Sequence, residues 1–201
     1  RCVEHAIASK LDWILFVDHD VLLPPDAFLK LRQLVNKSKS PVVSGLYYSK
    51  GSCPEPLVYR GRGNGPFYGW LPGAEVWADG IPMGCTLINT VLFKAMKAPW
   101  FESPRTFSLD ADGNFFKSGG TEDLYWCDRV MNEGIYKKLG IKVPDPKNPF
   151  LVDTSLFCKH ADLSSGNLYP QCTGDQWALN HSLYYKEWKK TQSRNGTAKK
   201  K

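Results

Sequence analysis

The chain has 201 residues, of which 42% are hydrophobic and 13% aromatic, and a formal net charge of +6. That size and composition suit one domain with a real core and exclude a globally disordered chain; no apolar run approaches the roughly 18 residues of a membrane span. The charge does not mark a nucleic-acid groove, because from Lys186 onward seven basic residues accompany one acid, Glu187, leaving residues 1–185 neutral.

The start, Arg1-Cys2-Val3-Glu4-His5, lacks the apolar stretch of a signal peptide. Residues 1–185 are expected to form the domain, and residues 186–201 a basic, flexible tail. The bland reading of that tail is a solvated terminus, and the sharper one is contact with an anionic surface. The six cysteines form no C-x-x-C pair, and Cys85, Cys127 and Cys158 sit in apolar stretches. They read as reduced, buried thiols, which favours a cytoplasmic location.

Along the chain, Trp13-Ile14-Leu15-Phe16-Val17 is an apolar run without alternation, as in a strand buried on both faces of a parallel sheet. Pro24-Pro25-Asp26 starts a helix whose apolar stripe is Phe28, Leu31, Leu34 and Val35. Residues 41–48 (PVVSGLYY) read as a second buried strand. Residues 51–73, rich in Gly and Pro, read as a long loop with one or two short strands. Residues 81–89 form a strand interrupted by Gly84, and residues 90–97 a helix. A loop over 99–120 carries the aromatic anchors Trp100, Phe101, Phe107 and Phe115. A helix spans 122–132 and is closed by Gly134. Short strands at 141–143 and 152–157 precede a last amphipathic helix over 175–189. The alternation of strands and helices predicts an α/β/α sandwich with a mixed, mostly parallel sheet.

Four constellations carry chemistry. Asp18-His19-Asp20 follows a buried strand, where open α/β sheets bind ligands. Two carboxylates so spaced can hold Mg²⁺ or Mn²⁺, which accept few protein ligands and complete their shell with phosphate oxygens; solvated turns produce the same tripeptide. In Gly119-Gly120-Thr121-Glu122-Asp123, Thr121 takes an N-cap position and the acids fall in the first turn. That is either ordinary capping or a placed general base. In Cys158-Lys159-His160-Ala161-Asp162, His160 follows an apolar strand; a lone His is commonly structural, but neutral imidazole is a reasonable Mn²⁺ ligand. In Asp79-Gly80-Ile81-Pro82-Met83-Gly84-Cys85, a glycine inside a strand marks a bulge or a close approach.

The segment WILFVDHDVLLPPDAFLKL resembles the D-x-D region of GT-A-fold glycosyltransferases, especially the family 2-like group. The order D-x-D, then E-D, then His extends that resemblance over residues 11–162. It implies a Rossmann-like GT-A sandwich and a metal-dependent transfer of a sugar from a nucleotide-diphosphate sugar, UDP- or GDP-linked, to an acceptor hydroxyl with inversion. The acceptor classes it implies are glycans, proteins and lipids. The resemblance assigns Asp18, Asp20 and His160 to Mn²⁺ or Mg²⁺, and Asp123 to the general base. It gives Glu122 an acceptor-binding or orienting role. Asp79, Gly84 and Cys85 are expected near the donor sugar, and Trp126, like Trp70, Trp77 and Trp100, reads first as core and second as a stacking face for sugar. GT-A domains begin with two or three βα units that bind the base, and here the D-x-D strand starts at residue 12. An N-terminally truncated fold is therefore expected. The rival readings are a non-catalytic glycan-binding fragment and a nucleotidyltransferase on a similar scaffold.

Overall fold

A computed structural model describes residues 1–61, 65–103, 106–109, 115–118, 120–172 and 174–198, with backbone alone at 106–109, 115–118, 174–175, 178 and 191–198. Gly119 and the side chains of Phe107 and Phe115 lie outside the described residues. The elements run α1 (Cys2–Ala8), β1 (Trp13–Val17), β2 (Val21–Leu22), α2 (Ala27–Ser38), β3 (Val42–Leu46), β4 (Glu75–Ala78) and β5 (Cys85–Asn89). There follow α3 (Thr90–Lys94), β6 (Thr106–Leu109), β7 (Phe115–Ser118), α4 (Glu122–Asn132), α5 (Ile135–Lys138), β8 (Phe150–Phe157), β9 (Lys159–Ala161), β10 (Leu168–Tyr169) and α6 (Gly174–Ala198).

The fold is α/β around a five-stranded mixed sheet of order β1-β5-β3-β8-β4. The expectation of a mostly parallel sheet is corrected, since β3–β8 is its one parallel pair and β1–β5, β3–β5 and β4–β8 are antiparallel. Apolar runs report burial, not direction; direction is set by which strand returns beside which. The run at 13–17 is likewise an edge strand, half-buried up to Val17, which is exposed. By contrast β3 is buried along its whole length. A small sheet, β10-β9-β2, extends from the end of β1, and β6–β7 form a hairpin where a loop was expected.

Side chains alternate across the main sheet, as strand geometry requires. Val42, Ile88, Phe150 and Val152 join Phe93 of α3, Trp126 and Val130 of α4 and Ile135 of α5 in one core. Val43, Leu87 and Leu151 meet Leu31 and Leu34 of α2 in a second core. Each fully buried leucine contributes about 1.5–3 kcal/mol. Phe28, expected on the inner stripe of α2, is 52% exposed instead.

Helix α4 spans the expected residues, and Gly134 closes it in the left-handed region (φ 62°), its N–H donating to the Met131 carbonyl at 3.0 Å. No strand forms at 141–143; the Ile141 N–H instead donates to the Tyr136 carbonyl at 2.8 Å beyond α5. The last helix does not end near 189. It runs to Ala198, and the Trp188 ring meets Phe67 edge-on at 5.7 Å. Residues 199–201 lie outside the described residues.

In β8 the register shifts: Gly45 pairs with Asp153, but Leu46 pairs with Phe157. Gly45 is needed there because a Cβ would stand 3.0 Å from both Cys85 Sγ and Leu156 Cγ. After the shift the chain leaves the main sheet and delivers β9 to the end of β1, where Val21 pairs with His160. The six cysteines are all free thiols. Among the described residues, no helix is long and apolar enough to cross a membrane.

Candidate functional site

Where β1 ends, the chain turns through Asp18-His19-Asp20, with the Val21 N–H donating to the Asp18 carbonyl at 3.1 Å. The Asp18 Oδ2 accepts from the Tyr47 hydroxyl at 3.3 Å, and that hydroxyl accepts from the Gly84 N–H at 2.9 Å. Gly84 is small for a definite reason. A Cβ there would lie 2.4 Å from the Tyr47 oxygen and 2.8 Å from Val21 Cγ2. The close approach expected at this glycine is therefore made by Tyr47. Burial, reinforced by the Asp18 charge, holds the Tyr47 phenol far above its ordinary pKa, so it stays a neutral donor.

Asp20 faces a different environment. Its Oδ2 accepts from Lys50 Nζ at 2.6 Å and lies 3.5 Å from His160 Nε2. His160 Nδ1 lies 2.8 Å from the Tyr48 carbonyl oxygen, which can only accept. That contact places a proton on Nδ1 and turns Nε2 toward Asp20. A histidine oriented through its second nitrogen in this way is pre-set as a metal ligand.

The two aspartates are driven in opposite directions. Asp18 is exposed as a residue, yet its carboxyl rests against Tyr47. Desolvation raises its pKa, and the Asp20 and Glu122 charges add to the rise; the Tyr47 hydrogen bond and His160 oppose it. For Asp20, desolvation also acts upward but is outweighed by the Lys50 hydrogen bond and the His160 and Lys50 charges, so its pKa is lowered.

Asp123 stands in the first turn of α4. Its Oδ1 accepts from the Thr121 hydroxyl and from the Leu124 N–H, the latter at 2.7 Å. Thr121 thus occupies the N-cap position with its hydroxyl turned to Asp123. Desolvation raises the Asp123 pKa and the Glu122 charge adds to it, against the Thr121 and Leu124 hydrogen bonds. The Asp123 charge in turn acts on Tyr47 and Tyr59. Glu122 is exposed and accepts from Ser103 Oγ at 3.3 Å. Tyr47 thus bonds Asp18, meets the His160 ring edge-on at 5.4 Å and feels the Asp123 charge, while the Glu122 charge acts on Asp18.

Three residues expected at the donor pocket are buried. Trp126 is 0% exposed and packs among Phe93, Phe101 and Phe150, so it has no face to offer a sugar. Cys85 is also 0% exposed, its thiol directed at Gly45 and Cys158. Asp79 is 5% exposed and holds the preceding loop, its Oδ2 accepting from the Gly61 N–H at 2.7 Å. Asp162 closes a local turn with Ser164 and Ser165. Sequence reasoning missed Tyr47, Tyr48 and Lys50, whose partners lie 29, 112 and 30 residues away; the one available signal was the pair of tyrosines ending a buried strand.

Among the described residues, no group of three His, Cys, Asp or Glu side chains is disposed to hold a metal ion. Asp20 and the oriented His160 supply two suitable donors on their own. That set fits Mg²⁺ or Mn²⁺, which take one or two protein ligands and fill the remaining positions with water and phosphate oxygens. An apolar cavity of about 570 Å³, lined by Val130, Tyr136 and Ile141 among others, lies at the opposite end of α4 from these carboxylates.

No protein-family model matches the chain, and no curated protein matches it. Among solved structures, the crystal structure of A197 from STIV is similar over 85% of this chain and 71% of its own, at 20% sequence identity and a TM-score of 0.48.

Proposed function

We propose that the protein is a metal-dependent glycosyltransferase of GT-A type that moves a sugar from a nucleotide-diphosphate donor to an acceptor hydroxyl with inversion. One observation carries the reading: the D-H-D carboxylates and an imidazole oriented through its Nδ1 meet at the end of β1, and the charge of the half-buried Asp123 acts on Tyr47 beside them. Asp20 and His160 Nε2 would hold Mn²⁺ or Mg²⁺, with Asp18 beside them, and the ion would supply charge neutralisation for a departing diphosphate. Asp123 takes the proton of the acceptor hydroxyl as its oxygen bonds to the anomeric carbon and the bond to the diphosphate breaks. Its raised pKa makes it a stronger base than a solvated aspartate. Thr121 and the Leu124 N–H fix the carboxyl for that role.

The test is calorimetric titration with Mn²⁺ and UDP, GDP or CMP, followed by a transfer assay. One nucleotide should bind only with metal, and Asp20→Ala should abolish that binding. Asp123→Asn should keep the binding and lose transfer by about 10²-fold or more. Binding of every nucleotide without metal, or near wild-type transfer by Asp123→Asn, overturns the assignment.

A further inference from the structure

Helix α6 carries two different faces. Trp177 and His181 are buried, and Trp188 meets Phe67, so this side docks on the domain. The opposite stripe follows the helical repeat at Leu179, Leu183, Lys186 and Lys190. Leu179 and Leu183 are 57% and 53% exposed, and Lys186, Lys189 and Lys190 are exposed beside them. Glu187 pairs with Lys190 at 2.6 Å and is the one acid after residue 185. Residues 186–201 carry the whole +6 of the chain, with Lys186, Lys189 and Lys190 of this face among them, while residues 1–185 are neutral overall.

We infer that the outward face of α6 docks on an anionic membrane surface. Basic side chains are drawn to acidic headgroups, and the attraction grows with each added lysine or arginine. The two leucines then enter the headgroup boundary, as an interfacial helix requires. A nucleic acid accounts for the lysines but has no use for exposed leucines on the same stripe. With its inner face anchored through His181 and Trp188, the helix presents the domain to the bilayer in a fixed orientation.

The experiment is co-sedimentation of the full chain with vesicles of phosphatidylcholine alone or with about 30% phosphatidylserine, at low and high salt. Two double variants on the exposed stripe, Leu179→Ser/Leu183→Ser and Lys186→Glu/Lys189→Glu, are compared after circular dichroism shows unchanged folding. Binding to the anionic vesicles should exceed that to neutral ones at least tenfold, fall with salt, and drop about fivefold or more in each variant. No preference for anionic vesicles overturns the inference. So does full binding by the leucine variant together with equal capture on duplex RNA, which would make the segment a general polyanion site.

Discussion

Replacing His181 by alanine tests how α6 is held and what that attachment does for the candidate site. The imidazole is 1% exposed and stacks on Trp70 with ring centroids 3.5 Å apart. Its Nε2 lies 3.0 Å from the Trp70 carbonyl oxygen, which fixes the proton on that nitrogen, and its Nδ1 then accepts from the Tyr48 hydroxyl at 3.3 Å. Truncation removes a buried ring, at about 2–5 kcal/mol for large-to-small changes. It also strands two buried polar groups, at about 1–3 kcal/mol. A loss of roughly 4 kcal/mol is expected, which at about 2–4 °C per kcal/mol lowers Tm by roughly 10 °C. His181→Phe keeps the stack and loses only the hydrogen bonds, so it should fall between the wild type and the alanine variant. The assay is thermal unfolding followed by circular dichroism. Tyr48 also presents its carbonyl to His160, so Mn²⁺ affinity should weaken in step with stability. A loss under about 1 kcal/mol in His181→Ala would refute the argument that this contact seats α6. The same residue gives a pH signature. Desolvation pushes its pKa down to about 4, below the ordinary value near 6.5. The neutral form is favoured in the fold, so stability is full above about 6.5 and declines as pH falls toward 4. That decline should be reduced in His181→Phe.

Other expectations are more local. Gly84→Ala should push the Tyr47 ring away from Asp18, costing about 1–3 kcal/mol by overpacking and visible as a lowered unfolding midpoint in urea; unchanged stability would mean that the 2.4 Å approach relaxes freely. Lys50→Met should strengthen the binding of Mn²⁺ alone severalfold, because it removes a cation that competes for the Asp20 oxygen; weaker binding in a calorimetric titration would show that Lys50 supports the ion instead. If Asp123 is the base, the acid limb of a transfer pH profile should sit above the usual aspartate value near 3.9, since the raised pKa keeps the carboxyl protonated to higher pH.

Much of the fold was legible in local pattern. The runs at 13–17 and 42–46 are strands, and α4 has the bounds set by its glycine punctuation. Strand direction was not legible, because it depends on which distant strand closes beside which; β5 turns back between β1 and β3 and makes the sheet largely antiparallel. β4, just beyond the Gly- and Pro-rich stretch at 51–73, went unread because only its pairing with β8 makes it a strand. At the site, Asp18, Asp20, His160 and Asp123 stood out by motif order, whereas Lys50 is one lysine in a glycine-flanked loop until the fold brings it to Asp20. Trp126, Cys127 and Val130 follow the spacing of a buried helical stripe, and that pattern marks core whatever chemistry sits at the helix start.

The register shift in β8 makes that strand two rods joined by an elbow at residues 154–156. The first rod is clamped between β3 and β4, and the second leads directly into the segment bearing His160. The elbow is held from outside, with the Thr154 hydroxyl donating to the Ala74 carbonyl at 2.8 Å. Aim and anchorage are thereby separable. A one-residue insertion in the elbow would leave the clamped rod in phase with its neighbours while turning the next strand over, moving the imidazole to the wrong side at little cost to the core.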